Sequence, residues 1–98
     1  YVHPFDDADV IAGQGTTGLE IMEEVARRGV TLDAVLVNVS GGGLASGITV
    51  AVKDASLSTE MWTVEPAGFD DFARSLASGK PERNERLSGS ICDALMAE

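Results

Sequence analysis

The hydrophobic positions in the first third of the chain follow the period of an amphipathic helix. Leu19, Met22 and Val25 recur at helical spacing, with acidic residues between them. Residues 17–20, with the sequence TGLE, have the form of a capping box, in which threonine and glutamate side chains satisfy free backbone N–H groups. The pattern predicts a helix from Thr17 that is closed by a glycine at position 29. An irregular segment with a glycine turn at 13–15 is expected before it.

Two apolar runs farther along predict β-strands. Residues 34–39 form a continuous valine-rich run that is too short for a typical helix, so we expect a strand buried on both faces. Residues 61–65 form a second run, which Pro66 ends and in which Trp62 is expected in the core. A glycine loop and a helix over about 44–54 lie between the runs. Together they make a βαβ unit, which predicts an α/β fold with parallel strands and a right-handed crossover.

Size, cysteine content and charge limit the class of protein. At 98 residues the chain fits one small domain at most, with a third helix predicted over 69–77. The single cysteine, Cys92, excludes an internal disulfide, is typical of a reducing cytoplasm, and is expected to be a buried apolar residue. The net charge of −9 disfavours nucleic acids and anionic membranes as partners. No apolar run approaches membrane-spanning length.

The glycine loop at 41–43 is the strongest chemical feature of the sequence. Glycines between a buried strand and a helix allow positive φ angles, so that backbone N–H groups converge on one point. The N-terminus of the following helix adds free N–H groups and the positive end of its dipole, and Ser40 offers a hydroxyl. These features favour a phosphate site. The alternative is a tight connection without a ligand, and neither common nucleotide-binding glycine motif is present.

Four ordered stretches carry a resemblance to a known enzyme family. Residues 39–48, VSGGGLASGI, look like the loop that holds the cofactor phosphate in fold-type II pyridoxal-phosphate enzymes. Residues 3–16, 64–66 and 91–95 resemble three further landmarks of the serine/threonine dehydratase and serine racemase branch, in the same order. The resemblance implies a partial three-layer α/β/α fold with parallel strands. It also implies that residues 1–28 end the small substrate domain with its connecting helix, and that 29–98 belong to the large cofactor-binding domain.

The resemblance also assigns the cofactor site. The phosphate of pyridoxal 5'-phosphate is expected to contact the loop residues Ser40, Gly41, Gly42, Gly43 and Leu44. Ala94 is expected near the cofactor ring, at a position where the branch often has glycine. The lysine that forms the Schiff base is expected upstream of Tyr1, and Lys53 and Lys80 are expected to be solvated surface residues. The isolated chain is therefore expected to be inactive.

A second candidate site lies at residues 65–71. Two carboxylates six residues apart, with a backbone carbonyl between them, suit a hard cation with oxygen ligands. The resemblance implies that a divalent cation, Mg²⁺ or Ca²⁺, is bound by Glu65, the Phe69 carbonyl and Asp71. The alternative is that Asp70 caps the following helix and Asp71 complements its dipole.

The function implied for the parent enzyme is that of a serine/threonine ammonia-lyase (dehydratase) or serine racemase with a small amino-acid substrate. Two alternatives stay open: a non-catalytic phosphate- or cofactor-binding fragment, and a truncated gene product that folds as an oligomer. An apolar strand such as 34–39 needs cover on both faces and a neighbour on each edge, which so short a chain does not supply. A homo-oligomer is therefore expected.

Overall fold

The computed structural model describes residues 6–86 and 88–92. It contains three helices and two strands in alternating order, as α/β proteins do. The elements are α1 (Ala8–Arg28), β1 (Ala34–Asn38), α2 (Gly43–Ala55), β2 (Glu60–Val64) and α3 (Asp71–Ser78).

Helix α1 begins at Ala8 rather than at Thr17, so the predicted irregular segment and capping box are wrong over the described residues. Asp7 is the N-cap, and its carboxylate accepts hydrogen bonds from the N–H groups of Asp9 at 2.9 Å and Val10 at 3.2 Å. The helix ends as predicted at Gly29, which adopts the left-handed conformation with φ 66°.

The glycines that suggested a turn at 13–15 instead lie inside α1, where one of them allows close contact with α2. A Cβ atom on Gly47 of α2 would lie 2.6 Å from the Gly15 nitrogen and 2.4 Å from the Ile11 oxygen. A Cβ on Gly18 would likewise lie 2.8 Å from that of Ala51. The two helices therefore pack almost backbone to backbone, which only glycine permits at these positions.

The predicted parallel pairing of the two strands is confirmed. Val35 pairs with Met61 and Val37 pairs with Thr63 in one parallel register. Helix α2 connects the strands and covers one face of the sheet. The buried core cluster on this face consists of Val37, Val39, Ala45, Ile48 and Val52.

The opposite face of the sheet is open, so two expectations from the sequence are wrong. Leu36 is 69% exposed, Trp62 58% and Val64 47%. Strand β1 is thus buried on one face only, and Trp62 lies outside the core. Cys92 is also exposed rather than buried.

No helix in the described part of the chain is long and apolar enough to cross a membrane.

Candidate functional site

The glycine loop joins the end of β1 to the start of α2. The Val39 N–H donates to the Val64 carbonyl at 3.1 Å, which extends the strand pairing by one residue and fixes where the loop begins. Ser40 and Gly41 are partly buried, and Gly42 and Gly43 are buried. Gly42 is the N-cap of α2 in the left-handed conformation, with φ 94° and no capping side chain. The positive φ expected for this loop is therefore present at Gly42.

Backbone N–H groups without a partner among residues 6–86 and 88–92 are concentrated in this loop. None of the N–H groups from Ser40 to Ala45 donates a hydrogen bond to another described residue, and the first bond that closes the helix runs from Ser46 to Gly42 at 2.8 Å. Such donors at a helix N-terminus need an acceptor, which is supplied by water or by an anion. Because no acidic residue lies in the first turn of α2, the positive end of its dipole is left uncompensated. These residues fit a phosphate group.

The ring of Phe72 in α3 packs against the loop at Gly42. A Cβ atom on Gly42 would lie 2.9 Å from Cε2 of Phe72, closer than side chains tolerate. Gly42 is thus required both by its φ angle and by the space that the ring occupies.

The N-terminus of α3 is capped by Glu65, a residue that sequence reasoning did not assign to this task. Its Oε1 accepts from the Phe72 N–H at 2.9 Å, and its Oε2 accepts from the Ala73 N–H at 3.0 Å. Asp70 occupies the N-cap position but makes no capping hydrogen bond, so its predicted capping role is wrong. Asp71 does lie in the first turn, where its charge complements the helix dipole.

The three candidate cation ligands surround this same helix start. Phe69 is buried and its N–H donates to the Pro66 carbonyl at 3.0 Å, while Oδ1 of Asp71 accepts from Nδ2 of Asn84 at 3.1 Å. The described residues contain no group of three or more His, Cys, Asp or Glu side chains placed to hold a metal. The oxygen chemistry suits a hard cation. Each carboxylate oxygen has a second lone pair, so a cation here would share Glu65 and Asp71 with their present protein donors.

The two lysines of the chain lie outside the glycine loop in the sequence, Lys53 near the end of α2 and Lys80 after α3. Lys53 is ten residues beyond Gly43 on α2, a rise of about 15 Å along the helix. Its Nζ donates to the Leu57 carbonyl at 3.1 Å and also to that of Thr59, so it is engaged at the far end of α2 rather than solvated. Lys80 is exposed, as expected, beyond the end of α3. Ala94 lies outside the described residues.

The match to a known protein family spans the whole chain. The sequence profile of the family described as "Pyridoxal-phosphate dependent enzyme" matches residues 1–98. The serine racemase of Dictyostelium discoideum is 45% identical over 96 residues, which are 97% of this chain and 28% of that protein. The L-threonine ammonia-lyase of Thermotoga maritima is 44% identical over 85 residues, which are 87% of this chain and 20% of that protein.

Solved structures share the fold. A threonine deaminase from T.th. superposes with a TM-score of 0.93 at 46% identity, covering 98% of this chain and 35% of that one. The serine racemase structure from Dictyostelium discoideum gives a TM-score of 0.82 at 42% identity, covering 97% and 28%. The chain thus spans about a fifth to a third of the length of these relatives.

Proposed function

The chain belongs to the family of pyridoxal-phosphate-dependent enzymes, and from this premise we propose that it is the cofactor-phosphate-binding segment of a serine/threonine ammonia-lyase (dehydratase) or serine racemase. The observation that carries the proposal is the set of free N–H groups from Ser40 to Ala45 at the N-terminus of α2. The names of the relatives supply the substrate class, a small amino acid.

Within this proposal the chain's own residues bind and orient the phosphate. The N–H groups of the loop donate to its oxygens, the dipole of α2 favours its charge, and Phe72 limits the space behind it. The five residues of the loop are Ser40, Gly41, Gly42, Gly43 and Leu44. When bound, pyridoxal phosphate supplies an electron sink that stabilises negative charge on the substrate Cα. Ala94 remains our prediction for the position near the cofactor ring.

The lysine that links the cofactor is proposed to come from another part of the parent protein. Lys53 is held at the far end of α2, and Lys80 is exposed beyond the end of α3. The chain alone should therefore bind the cofactor phosphate without catalysing elimination or racemisation. The alternatives, a non-catalytic cofactor-binding fragment or a truncated product that folds as an oligomer, differ from this proposal in what surrounds the chain rather than in the loop.

A titration of the isotope-labelled chain tests the proposal. Inorganic phosphate and pyridoxal phosphate should both shift the amide resonances of Ser40 to Leu44, whereas pyridoxal without its phosphate should leave them unchanged. If neither phosphate compound moves a loop resonance, the assignment of the site is wrong.

The remaining proposals concern the surroundings of the site. We propose that Mg²⁺ or Ca²⁺ is bound by Glu65, the Phe69 carbonyl and Asp71. The cap of α3 by Glu65 and the position of Asp71 in the first turn of that helix support this proposal. We also propose that a domain boundary follows residue 28, where α1 ends. We further propose that the protein is a homo-oligomer and that it is located in the cytoplasm. The exposed apolar sheet face supports the oligomer, and the single free cysteine supports a reducing compartment.

A further inference from the structure

The end of β2 and the start of the glycine loop are joined by a backbone hydrogen bond. The Val64 carbonyl accepts from the Val39 N–H at 3.1 Å, one residue before Ser40. Glu65 directly follows Val64 in the chain. The backbone of Glu65 is therefore held in a defined position relative to the loop, although Glu65 lies 24 positions after Gly41 in the sequence.

The side chain of Glu65 in turn holds α3. Its two carboxylate oxygens accept from the N–H groups of Phe72 and Ala73 at 2.9 and 3.0 Å. Helix α3 has eight residues, none of which is fully buried. So short a helix has little stability of its own and depends on tertiary contacts for its position. The paired hydrogen bonds to Glu65 are such a contact.

The residue whose N–H binds Glu65 also contacts the loop. The ring of Phe72 occupies the space that a Cβ on Gly42 would need, and it packs against the buried core cluster. Glu65, Phe72 and Gly42 are thus connected by consecutive contacts. The end of β2 positions Glu65, Glu65 holds the backbone of Phe72, and the Phe72 ring packs against the loop at Gly42.

We propose that Glu65 is a positioning residue for the glycine loop, which it keeps in its phosphate-binding conformation by holding Phe72 against Gly42. The part of this inference that concerns the ligand rests on the proposed function, while the part that concerns the loop's conformation does not. Glu65 acts on the loop through Phe72 and need not touch the phosphate.

The sign of the charge effect separates positioning from simple electrostatics. Glu65 carries a negative charge close to a site for an anion, so its removal should strengthen phosphate binding if charge alone matters. Positioning predicts the opposite result, because a loop that samples several conformations binds less tightly.

Three variants test the proposal: Glu65→Ala, Glu65→Gln and, as a matched control, Glu60→Ala. Glu60 is the first residue of β2, at the end away from the loop, and its carboxylate accepts from Nε1 of Trp62 on the open face. Its replacement removes one negative charge without touching α3. Glutamine keeps one carbonyl oxygen for a helix N–H. Two readouts are needed: the amide resonances of Ser40 to Leu44 without ligand, and the affinity for inorganic phosphate. EDTA in all samples excludes divalent cations.

We expect Glu65→Ala to shift the loop resonances and weaken phosphate affinity about tenfold, as the loss of a helix cap and its two hydrogen bonds suggests. Glu65→Gln should fall between this variant and the unchanged chain, and it still tests the idea if the alanine variant does not fold. Glu60→Ala should leave the loop resonances unchanged. Unchanged loop resonances in both Glu65 variants, or tighter phosphate binding, would overturn the proposal. If the unchanged chain binds no phosphate while Glu65→Ala still moves the loop, the proposed function fails and the positioning role stands.

Discussion

Gly42 and Phe72 contact each other so closely that a Cβ atom on Gly42 would lie 2.9 Å from Cε2 of the ring. The two residues belong to different elements, the N-terminus of α2 and the first turn of α3. This contact connects the glycine loop to a helix that sequence patterns alone do not associate with it.

Replacing Gly42 should abolish phosphate binding. Valine at this position would have both an unfavourable φ of 94° and a clash with Phe72, so the loop must move. Gly42→Ala should weaken phosphate affinity at least about tenfold for the same reasons. Gly79→Ala is the control, because Gly79 also has positive φ, at 73°, but its Cβ would meet nothing. Calorimetric titration with phosphate measures the difference, and equal affinities for the two alanine variants would contradict the prediction.

Replacing Gly47 should destabilise the packing of α1 on α2. A Cβ there would lie 2.4 Å from the Ile11 oxygen, so the helices must separate, and we expect a loss of about 1–3 kcal/mol in the free energy of unfolding. Gly13→Ala is the matched control, since its Cβ would meet nothing inside the same helix pair. That change should instead stabilise the chain by about 0.5–1 kcal/mol through helix propensity. Urea denaturation gives both values; a Gly47→Ala variant as stable as the unchanged chain would show that the helices do not pack so closely in solution.

The isolated chain should produce no keto acid from serine or threonine, even with added pyridoxal phosphate. The reason is that Lys53 is held at the far end of α2, and that the family resemblance implies a linking lysine outside this chain. A keto-acid assay with a full-length relative as positive control tests this. Activity of the pure chain, or a covalent cofactor linkage that is lost in Lys53→Ala or Lys80→Ala, would refute the prediction.

A divalent cation should stabilise the chain through Asp71. Ligands that bind only the folded state raise its stability, so millimolar Ca²⁺ or Mg²⁺ should raise the urea midpoint of the unchanged chain relative to EDTA. Asp71→Asn should remove this increase, whereas Asp54→Asn, at the end of α2, should retain it. An equal response of the two variants to the cation would place the ion elsewhere or show that its effect is unspecific.

The chain should self-associate at micromolar concentration through the open face of the sheet. Leu36, Trp62 and Val64 expose apolar area that contributes about 25 cal/mol per Å² when buried.

Light scattering after size exclusion tests this association. Leu36→Ser and Trp62→Ser should shift the chain towards monomer. Leu57→Ser should have no effect, because Leu57, although 84% exposed, lies in the turn between α2 and β2 and not on the open face of the sheet. A cooperatively folded monomer of the unchanged chain would refute the expectation.

Local patterns were sufficient for much of this protein. The apolar run at 34–39 identified β1, because a short valine-rich run favours a strand over a helix. Gly29 identified the end of α1, because a left-handed C-cap depends on one residue. The glycine loop, with three further stretches, identified the family. The phosphate site that it predicts depends on backbone N–H groups that are contiguous in sequence, and it stays a prediction.

Tertiary contacts decided the rest. Gly15 was expected in a turn, yet it lies inside α1, where a Cβ atom would lie 3.2 Å from the Gly47 oxygen of α2. The cap of α3 comes from Glu65 rather than from the adjacent Asp70, because the end of β2 delivers that carboxylate to the helix N-terminus. Trp62 is exposed because no described element covers its face of the sheet. The identity of a residue does not specify which partner it contacts. The role of a glycine, a carboxylate or an indole therefore depends on what the fold places against it.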